Sequence, residues 1–464
     1  MIHGNIAIYP LTDSFLSVAR YMILHMNCED CFVFVKPKGY PIKLESLSTI
    51  KNDRTGQIVL TEDIDKAIVD SDVFLIADGN IDGKFRSKVI TKIWTAIQAN
   101  KQIISTLKFT PEEKEMFSGY NKQLHCYSNK DNELPHLLSE IPKISQPKSV
   151  VIGVGRIHPE LDSLGITLII NDQLKRMGYR VNTILDNSYA RFLNMFPIPE
   201  FLYNGLYSLP DIVLSLNHYV EAIERSSHAD ITLVQLPGGM MKYDDTVPAD
   251  LGVYSYIFSQ SIQIDHLFCC FPFHYLTADY IEKISKVFSI KYGCGLSAAF
   301  LSHKMINIQS SIESSSPMYL RVPDTIYNDR LKYLIESSNN IPIFELMEKC
   351  EDNLENISNV LSNLFPDSLF PLEGECRSSG DNKDCPASIL LHLMHSKFSV
   401  PECFLTGEYD DMPLTEGPFR FDAQDLTYLF LEIEKTLKIH IDTHKILNQE
   451  FNTISGISKI IERS

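Results

Sequence analysis

The hydrophobic pattern of residues 148–241 predicts a strand, a helix and a second strand in succession. The run Ser149–Gly155 is rich in valine and ends in glycines, which is typical of a buried parallel strand that enters a tight turn. The pattern of Leu164–Met177 predicts a helix, Gly178 ends it, and Tyr179–Leu185 predicts the next strand. In such a βαβ unit the first turn holds anionic ligands on backbone N–H groups at a helix N-terminus.

A further buried strand, Ile231–Leu236, ends in a glycine-rich turn, Pro237–Gly239. We expect this turn at the same edge of the sheet as the first one, where nucleotide hydrolases of this type carry a switch turn. The alternative is a tight turn in which glycine supplies a positive φ without steric cost. Because no acidic residue stands at the end of the strand, the pattern favours this alternative.

Residues 1–145 predict a first α/β domain, which is a scaffold or a binding platform. Strands alternate with helices, which favours a mostly parallel sheet. No glycine-rich phosphate turn follows the first strand, where the sequence is Pro10–Ser14. The predicted strands are Asn5–Pro10, Cys31–Val35, Val73–Ala77 and Gln102–Thr106, and the predicted helices are Phe15–Met26 and Lys84–Ala99.

The rest of the chain predicts three further parts. Residues 146–347 form an α/β domain of the nucleotide-binding type, in which Asp211–Leu216 predicts an additional strand. Residues 348–386 contain a helix and a polar linker, and residues 387–464 form a small helical domain. The predicted fold class is therefore α/β, with two Rossmann-like or degenerate P-loop-like domains built on parallel sheets, followed by a small all-α bundle.

Composition narrows the classes of partner and compartment. A chain of 464 residues is too long for one hydrophobic core. Its net charge of −17 argues against nucleic acid or an anionic membrane as the partner. Ten cysteines at irregular spacing do not form a disulfide framework, and no apolar run approaches the roughly 20 residues that cross a bilayer. Since no signal peptide is recognisable after Met1, we expect a cytoplasmic protein.

The turn after the first central strand lacks the residues of working phosphate-binding motifs. A Walker motif counted from Gly153 requires Gly-Lys-Ser/Thr where this chain has His158, Pro159 and Glu160. The dinucleotide motif fails as well, because its third glycine also falls on His158. No catalytic residue is predicted, yet backbone N–H groups can still hold a phosphate. The candidate nucleotide site consists of Gly153, Gly155, Arg156, Asp162, Gly238 and Gly239, in which Arg156 would meet an anion and Asp162 a cation.

Cysteine and histidine residues give no metal or redox prediction. Cys28 and Cys31 have the spacing of a redox pair, but they lie between a helix end and a strand, and two neighbouring acids raise the thiol pKa. Nothing in the sequence shows that the C-terminal histidines converge on a metal ion. The residues concerned are His392, His395, His440, Asp442 and His444.

The segment Phe421–Ile441 resembles the second helix of acyl carrier proteins and the residues around it. On that pattern Asp422 matches the aspartate, and Ala423 falls on the serine that carries phosphopantetheine. Alanine has no hydroxyl, so the resemblance implies an acyl-carrier-like bundle without phosphopantetheine. The acidic residues of this region suit docking to a basic partner surface, and a solvated helix face is the alternative. They are Asp422, Asp425, Glu432 and Glu434.

Together with the two upstream domains, this bundle resembles the accessory proteins of clostridial peptide-maturation systems. In those systems an α/β maturation protein and an acyl-carrier-related protein accompany a radical-SAM enzyme that modifies a cysteine-rich ribosomal peptide. The resemblance implies an accessory protein that binds the precursor peptide, the radical-SAM maturase or both. The alternative is a divergent nucleotide-dependent enzyme, an NTP hydrolase or ligase, that uses the Gly153–Gly155 turn. The residues that carry the resemblance are Val151–Arg156, Gly178–Val181, Asn217–Glu224, Pro237–Met240 and Phe421–Ile441.

Overall fold

The computed structural model of the chain divides into two compact units, Met1–Ser358 and Asn359–Ser464. Both parallel sheets belong to the first unit, one within residues 5–126 and the other within residues 150–345. The structure describes residues 4–25, 30–39, 42, 47, 57–77, 83–127, 144–227, 229–247, 250–273, 276–338, 340–345, 351–364, 390, 394, 398, 400, 412–415, 419, 421, 425–430, 433, 441 and 452–462.

The first sheet consists of six parallel strands, which are β1 (Asn5–Tyr9), β2 (Cys31–Val35), β3 (Gln57–Thr61), β4 (Val73–Ile76), β5 (Gln102–Ser105) and β6 (Leu124–Cys126). They lie in the order β3-β2-β1-β4-β5-β6, which is the doubly wound Rossmann order. All four strands predicted in this part of the chain are confirmed, as β1, β2, β4 and β5. The prediction missed β3, whose side chains are exposed or half-buried, and β6, which has only three residues.

The α-helices described between these strands are α1 (Leu16–Leu24), α2 (Ile64–Asp70), α3 (Gly83–Gln98) and α4 (Pro111–Met116). The helices predicted at residues 15–26 and 84–99 are confirmed as α1 and α3. Local capping defines where α4 begins: the Thr110 hydroxyl accepts the Glu113 amide, and the Glu113 carboxylate accepts the Thr110 amide. The four N-terminal amides of a helix have no partner within it, so this reciprocal pair stabilises the first turn.

The second sheet consists of seven parallel strands, which are β7 (Val150–Arg156), β8 (Val181–Leu185), β9 (Phe196–Pro197), β10 (Ile231–Gln235), β11 (His266–Phe271), β12 (Leu296–Leu301) and β15 (Ile343–Glu345). A separate antiparallel pair is formed by β13 (Lys304–Ile306) and β14 (Tyr319–Arg321). The order of the seven strands is β15-β12-β11-β7-β10-β8-β9, so β7 lies at the centre between β11 and β10. The predicted class, α/β with two parallel sheets, is confirmed.

The helices described between β7 and β15 are α5 (Ser163–Arg176), α6 (Leu209–Ser227), α7 (Val253–Ser261), α8 (Ala278–Tyr292), α9 (Ile308–Ser314) and α10 (Asp324–Ser337). The strand predicted at residues 211–216 is wrong, because these residues belong to α6. The buried side chains Ile212, Leu216, Val220 and Ile223 recur at every third or fourth position, the spacing of one helix face. The short Ile-Val-Leu run suggested a strand, and only the longer period identifies the helix.

The two sheets of the first unit share a hydrophobic core through α1 and α5. Val18 and Met22 of α1 lie in the same buried cluster as Leu164 and Leu168 of α5. A buried apolar contact of this kind removes both helix faces from water and joins the two halves of the unit.

Tyr189, which follows β8, lies at the ligand position of the first sheet. Its hydroxyl donates to the carbonyl of Ala77, directly after β4, and its ring centroid lies 5.1 Å from that of Phe15. Since β1 and β4 flank the point where the Rossmann strand order reverses, ligands of such folds bind there. In this protein a side chain from the second sheet's half of the chain lies at that point.

Two further helices are α11 (Glu351–Leu364) and α12 (Ile454–Glu462). The helix predicted within residues 348–386 is confirmed as α11, and α12 lies in the predicted helical domain. Most of the described apolar residues of the second unit share one buried cluster. This cluster includes Leu390, Met394, Leu414, Phe421, Leu429, Ile433, Ile441 and Ile457. The acyl-carrier likeness of that unit stays a prediction.

Candidate functional site

The candidate site lies at the carboxyl edge of β7 and β10, in the middle of the second sheet. The chain leaves β7 through α5 and reaches β8 on one side, whereas it leaves β10 through α7 and reaches β11 on the other side of β7. Neighbouring strands whose connections diverge in this way form the usual ligand crevice of open α/β sheets. Arg156 ends β7 and Gly238 follows β10, so two of the predicted site residues lie at this point.

Gly153 and Gly155 lie inside β7 and not in the turn that was predicted to contain them. Close packing explains why both are glycine. A Cβ atom on Gly153 would stand 3.1 Å from the Cγ2 atom of Ile264, and one on Gly155 would stand 2.1 Å from the sulfur of Met240. These two glycines therefore make room for neighbouring side chains instead of cradling a phosphate.

The loop after β7 occupies the place of a phosphate-binding loop but has other residues. Counted from Gly155, which the structure places near the end of the strand, the last three Walker positions fall on Glu160, Leu161 and Asp162. Glu160 has a φ of +68°, the left-handed conformation that glycine adopts most easily. Burial lowers the pKa of His158 to about 4, so this side chain is neutral at pH 7. Neither Leu161 nor His158 supplies the charge of a Walker lysine.

Side chains from the strands β7, β13 and β14 donate hydrogen bonds to backbone carbonyl groups of this loop. The Tyr319 hydroxyl donates to the carbonyl of Pro159 at 2.6 Å, and the Lys304 ammonium donates to that of Glu160 at 2.5 Å. The Arg156 guanidinium donates to the carbonyl of Leu161 at 3.4 Å. Two cations are thus engaged with the loop's own backbone.

Asp162 is the N-cap of α5. Its Oδ1 accepts the backbone N–H of Gly165 at 2.7 Å, and the hydroxyl of Ser17, from α1, donates to its Oδ2 at 2.5 Å. The N-terminus of a helix carries partial positive charge, which a carboxylate stabilises. The sequence suggested that Asp162 meets a cation, and the structure gives it an amide and a hydroxyl instead.

Arg156 and Asp186 join the ends of three strands. The Arg156 Nε donates to the carbonyl of Gly238 at 3.0 Å, and its Nη2 lies 3.5 Å from Oδ2 of Asp186. The same Oδ2 accepts the Gly238 amide at 3.1 Å. Both charged side chains are mostly buried, with 19% and 17% of their surface exposed. The sequence reasoning missed Asp186, although an acidic residue directly after a buried strand marks the same edge of the sheet.

Tyr203 completes this group, since its hydroxyl donates to Oδ1 of Asp186. Burial raises the pKa of Asp186 above its ordinary value, although the Arg156 charge acts in the opposite direction. Burial, and then the Asp186 charge, raises the pKa of Tyr203. Both carboxylate oxygens of Asp186 therefore accept hydrogen bonds in a mostly buried place, beside a guanidinium and a phenol.

The turn Pro237–Gly239 is fixed on several sides. Gly238 has a φ of +66°, which confirms the interpretation of a tight turn that needs glycine. A Cβ atom at Gly238 would stand 1.8 Å from Oδ2 of Asp250, the oxygen that accepts the Gly239 amide at 2.7 Å. The Ser255 hydroxyl donates to the carbonyl of Gly239 at 2.9 Å. The structure therefore brings Arg156, Gly238 and Gly239 together as one hydrogen-bonded turn.

The other predicted residues belong to other elements or lie outside the described part of the chain. Asp425 belongs to a helical segment, residues 425–430, in the second unit. Cys31 is half-buried in β2, and burial raises the pKa of its thiol, which opposes thiolate chemistry. The residues outside the described part of the chain are Cys28, His392, His395, Asp422, Ala423, Glu432, Glu434, His440, Asp442 and His444.

Within the described ranges, no group of three or more His, Cys, Asp and Glu side chains is arranged to hold a metal ion. No helix in the described residues is long and apolar enough to cross a membrane.

Comparison with known proteins shows a likeness of fold. No family model and no curated protein matches the chain. A crystal structure of a DUF1611 family protein from Anabaena variabilis superposes with a TM-score of 0.51 and 10% identity, over 78% of this chain and 99% of that one. An ADP complex of a nucleotide-binding protein from Archaeoglobus fulgidus has a TM-score of 0.26 and 15% identity, over 48% of this chain and 92% of that one. Chloroplast FtsY from Physcomitrella patens has a TM-score of 0.26 and 10% identity, over 65% of this chain and 86% of that one. At such identities only the first likeness is informative, and it concerns the fold alone.

Proposed function

We propose that this protein is an accessory binding protein in the maturation of a ribosomally synthesised, cysteine-rich peptide. It holds the precursor peptide, the radical-SAM maturase or both, and it acts in the cytoplasm. The sequence resemblance to maturation and acyl-carrier-related proteins supports the pathway. A binding role, as opposed to catalysis, is supported by the geometry at the carboxyl edge of the second sheet.

One observation carries the binding role. The Asp162 carboxylate accepts the Gly165 amide at the N-terminus of α5, 2.7 Å away, where a nucleotide phosphate would be bound in an active relative of this architecture. A second anion beside this carboxylate would suffer like-charge repulsion. The protein thus keeps the frame of a phosphate site and fills the anion position with its own side chain.

The second candidate is a nucleotide-dependent enzyme, and one observation favours it. Arg156 and Lys304 both reach the loop after β7, so two cations stand near the place of a phosphate. For a nucleotide to bind, Asp162 has to release its amide partner, and both cations have to exchange loop carbonyls for phosphate oxygens. This reorganisation costs several hydrogen bonds of about 0.5–1.5 kcal/mol each, which is why we rank the enzyme second.

Co-expression tests the accessory role. The full chain is produced with a candidate short cysteine-rich peptide and a candidate radical-SAM enzyme, and the peptide mass is followed with and without the chain. We expect the modification to depend on the chain, and capture of the peptide by the purified chain to be the same with and without ATP and Mg²⁺. Modification that proceeds equally well without the chain contradicts the accessory role. Capture that requires ATP favours the enzyme instead.

A further inference from the structure

The strand β3 forms one edge of the first sheet. It lies at the end of the strand order, and among the described residues β2 is the strand that pairs with it. The Lys36 amide donates to the Thr61 carbonyl at 3.0 Å, so the backbone groups of Thr61 face β2. Backbone groups alternate in direction along a strand, and the N–H and C=O groups of Ile58 and Leu60 therefore face away from β2. An edge of this kind is a template for an added strand.

β3 lacks the features that protect the other edge strands of the two parallel sheets, which are β6, β15 and β9. β6 and β15 have only three residues each, and β9 has two, one of which is Pro197. Short strands and proline at an edge hinder pairing with another chain. β3 has five residues, Gln-Ile-Val-Leu-Thr, without a charge or a proline. Of the edge strands described in the two sheets, β3 is the one best suited to accept a further strand.

The side chains of β3 give this edge a fixed backbone and an exposed apolar side chain. Ile58 and Leu60 pack against the buried cluster that α1 and α5 share. Val59 points to the opposite face of the sheet, beside its cross-strand neighbour Val33, and is 42% exposed. A strand that is already ordered loses little conformational entropy when it pairs with another strand.

The sequence of β3 is complementary to itself when two copies pair antiparallel about Val59. Ile58 then exchanges both of its backbone hydrogen bonds with the partner subunit's Leu60. Val59 lies opposite the partner's Val59, and Gln57 lies opposite the partner's Thr61. Apolar side chains therefore meet apolar ones and polar side chains meet polar ones, in a register that includes every residue of the strand. A two-fold axis through the valine pair generates this contact, as in most homodimers.

Charge indicates which chain fits this edge. The net charge of −17 makes two copies of the chain repel each other, and like charges directly opposite across two strands are destabilising. β3 itself has no charged residue, and Glu62, which follows it, lies 3.5 Å from Lys36 of its own chain. Two copies can therefore meet at β3 without like-charge repulsion between the paired strands, whereas a strongly charged peptide finds no opposite charge in this strand.

We propose that β3 is a homodimer interface, at which a second copy of this chain pairs antiparallel and joins the two six-stranded sheets into one continuous sheet. Val59 lies on the two-fold axis of the dimer. This interface goes beyond the proposed function and does not depend on it, since it uses neither the loop after β7 nor the turn after β10.

Sedimentation equilibrium of the full chain tests the pairing. Between about 1 and 100 µM, the affinity range of many reversible complexes, we expect the mass to change from that of one chain to that of two. Val59→Lys brings two ammonium groups together on the axis and should raise the dimer dissociation constant about tenfold or more. Val59→Glu should do the same, and an equimolar mixture of the two variants should associate again, because each ammonium then faces a carboxylate. The matched control is Ile290→Lys, at a position 89% exposed on α8, which should leave association unchanged.

Hydrogen exchange of the wild-type chain gives a second measurement that needs no substitution. The amides of residues 57–61 should exchange more slowly at about 100 µM than at about 1 µM, because Ile58 and Leu60 donate to the partner only in the dimer. Exchange that does not depend on concentration would overturn the interface.

The sedimentation data can overturn the interface in three ways. A wild-type chain that stays monomeric up to about 100 µM does so, even if a strand-forming peptide binds at Val59 in place of the second copy. Association that Val59→Lys leaves intact places the contact on another surface. A mixture of folded Lys and Glu variants that associates no more than either variant alone shows that the two Val59 positions do not face each other.

Discussion

Asp162 accepts the backbone N–H of Gly165 at a distance of 2.7 Å, so a carboxylate of the protein occupies the positive end of α5. The Ser17 hydroxyl, which comes from the first sheet's half of the unit, donates to the same carboxylate. One side chain therefore caps a helix, fills an anion position and joins two α/β halves. The sheet and helix of a phosphate-binding fold are therefore present, whereas the side chains that bind phosphate in such folds are absent from the loop after β7.

Asp162→Ala removes the cap of α5 and leaves the Ser17 hydroxyl without this acceptor. Loss of an N-cap costs about 1–2 kcal/mol, so the unfolding free energy measured with urea should fall by that amount. The matched control is Asp279→Ala in the first turn of α8. Asp279 is 75% exposed and pairs with exposed Lys283, so its loss should change the unfolding free energy by less than about 0.5 kcal/mol. Equal effects of the two substitutions would contradict the role assigned to Asp162.

Gly238→Ala and Gly205→Ala compare two glycines with nearly the same backbone conformation, at φ values of +66° and +64°. A Cβ atom at Gly238 meets Asp250 at 1.8 Å, whereas a Cβ atom at Gly205 has no heavy atom within 4 Å. Both substitutions carry the strain of a positive φ, about 1–2 kcal/mol. Only Gly238→Ala also displaces the Asp250 carboxylate, so it should lower the thermal unfolding midpoint more than Gly205→Ala does. Identical midpoints would show that the turn is not crowded.

Asp186→Asn tests the raised pKa of Asp186. Burial raises that pKa above the 3.8 of an ordinary aspartate, so the folded protein binds this proton more tightly than the unfolded chain does. The contribution of this group to stability therefore falls as pH rises from about 4 through the folded pKa. Asparagine cannot ionise, and it keeps an oxygen for the Gly238 amide. Urea midpoints measured across this range should fall more steeply with pH for the wild-type protein than for the variant, and parallel curves would contradict the pKa shift.

Tyr189→Phe tests the junction of the two sheets. The substitution keeps the ring against Phe15 and removes the donor to the Ala77 carbonyl. A buried acceptor that loses its partner costs about 1–2 kcal/mol, and differential scanning calorimetry should show one destabilised transition. Tyr256→Phe is the control, because Tyr256 is 42% exposed, and we expect a change within about 0.5 kcal/mol. If Tyr189→Phe destabilises the protein no more than the control does, the hydrogen bond from Tyr189 to Ala77 does not contribute to stability as proposed.

The local pattern of apolar residues was sufficient to predict most strands of the two parallel sheets. The apolar runs that became β1, β2, β4 and β7 are continuous, and parallel strands buried on both faces require such runs. The turn at Gly238 was also predictable, because a glycine pair after a buried strand indicates a positive φ. The Asp211–Leu216 segment shows the limit of a short window, since six residues do not separate a helix face from a strand.

The chemistry of the site was harder to predict because it depends on contacts between distant parts of the chain. In the sequence, Gly155 looked like part of a ligand-binding turn. In the structure, glycine is needed at this position because the sulfur of Met240 packs against it, and only folding brings these two residues together. Asp162 resembled a ligand side chain until the structure placed Ser17 against it. Asp186 and Tyr203 form a pair that no local motif encodes, because their contact depends on the path of the chain after β8.

Nucleotide titration tests the central claim most directly. ATP and GTP, each with Mg²⁺, are titrated calorimetrically into the full chain up to about 1 mM, the upper end of ordinary substrate affinities. Because the Asp162 carboxylate holds the anion position and Arg156 is engaged with Gly238, we predict no saturable heat for either nucleotide. Saturable binding that Arg156→Ala weakens without unfolding the protein would contradict the claim and identify a working nucleotide site.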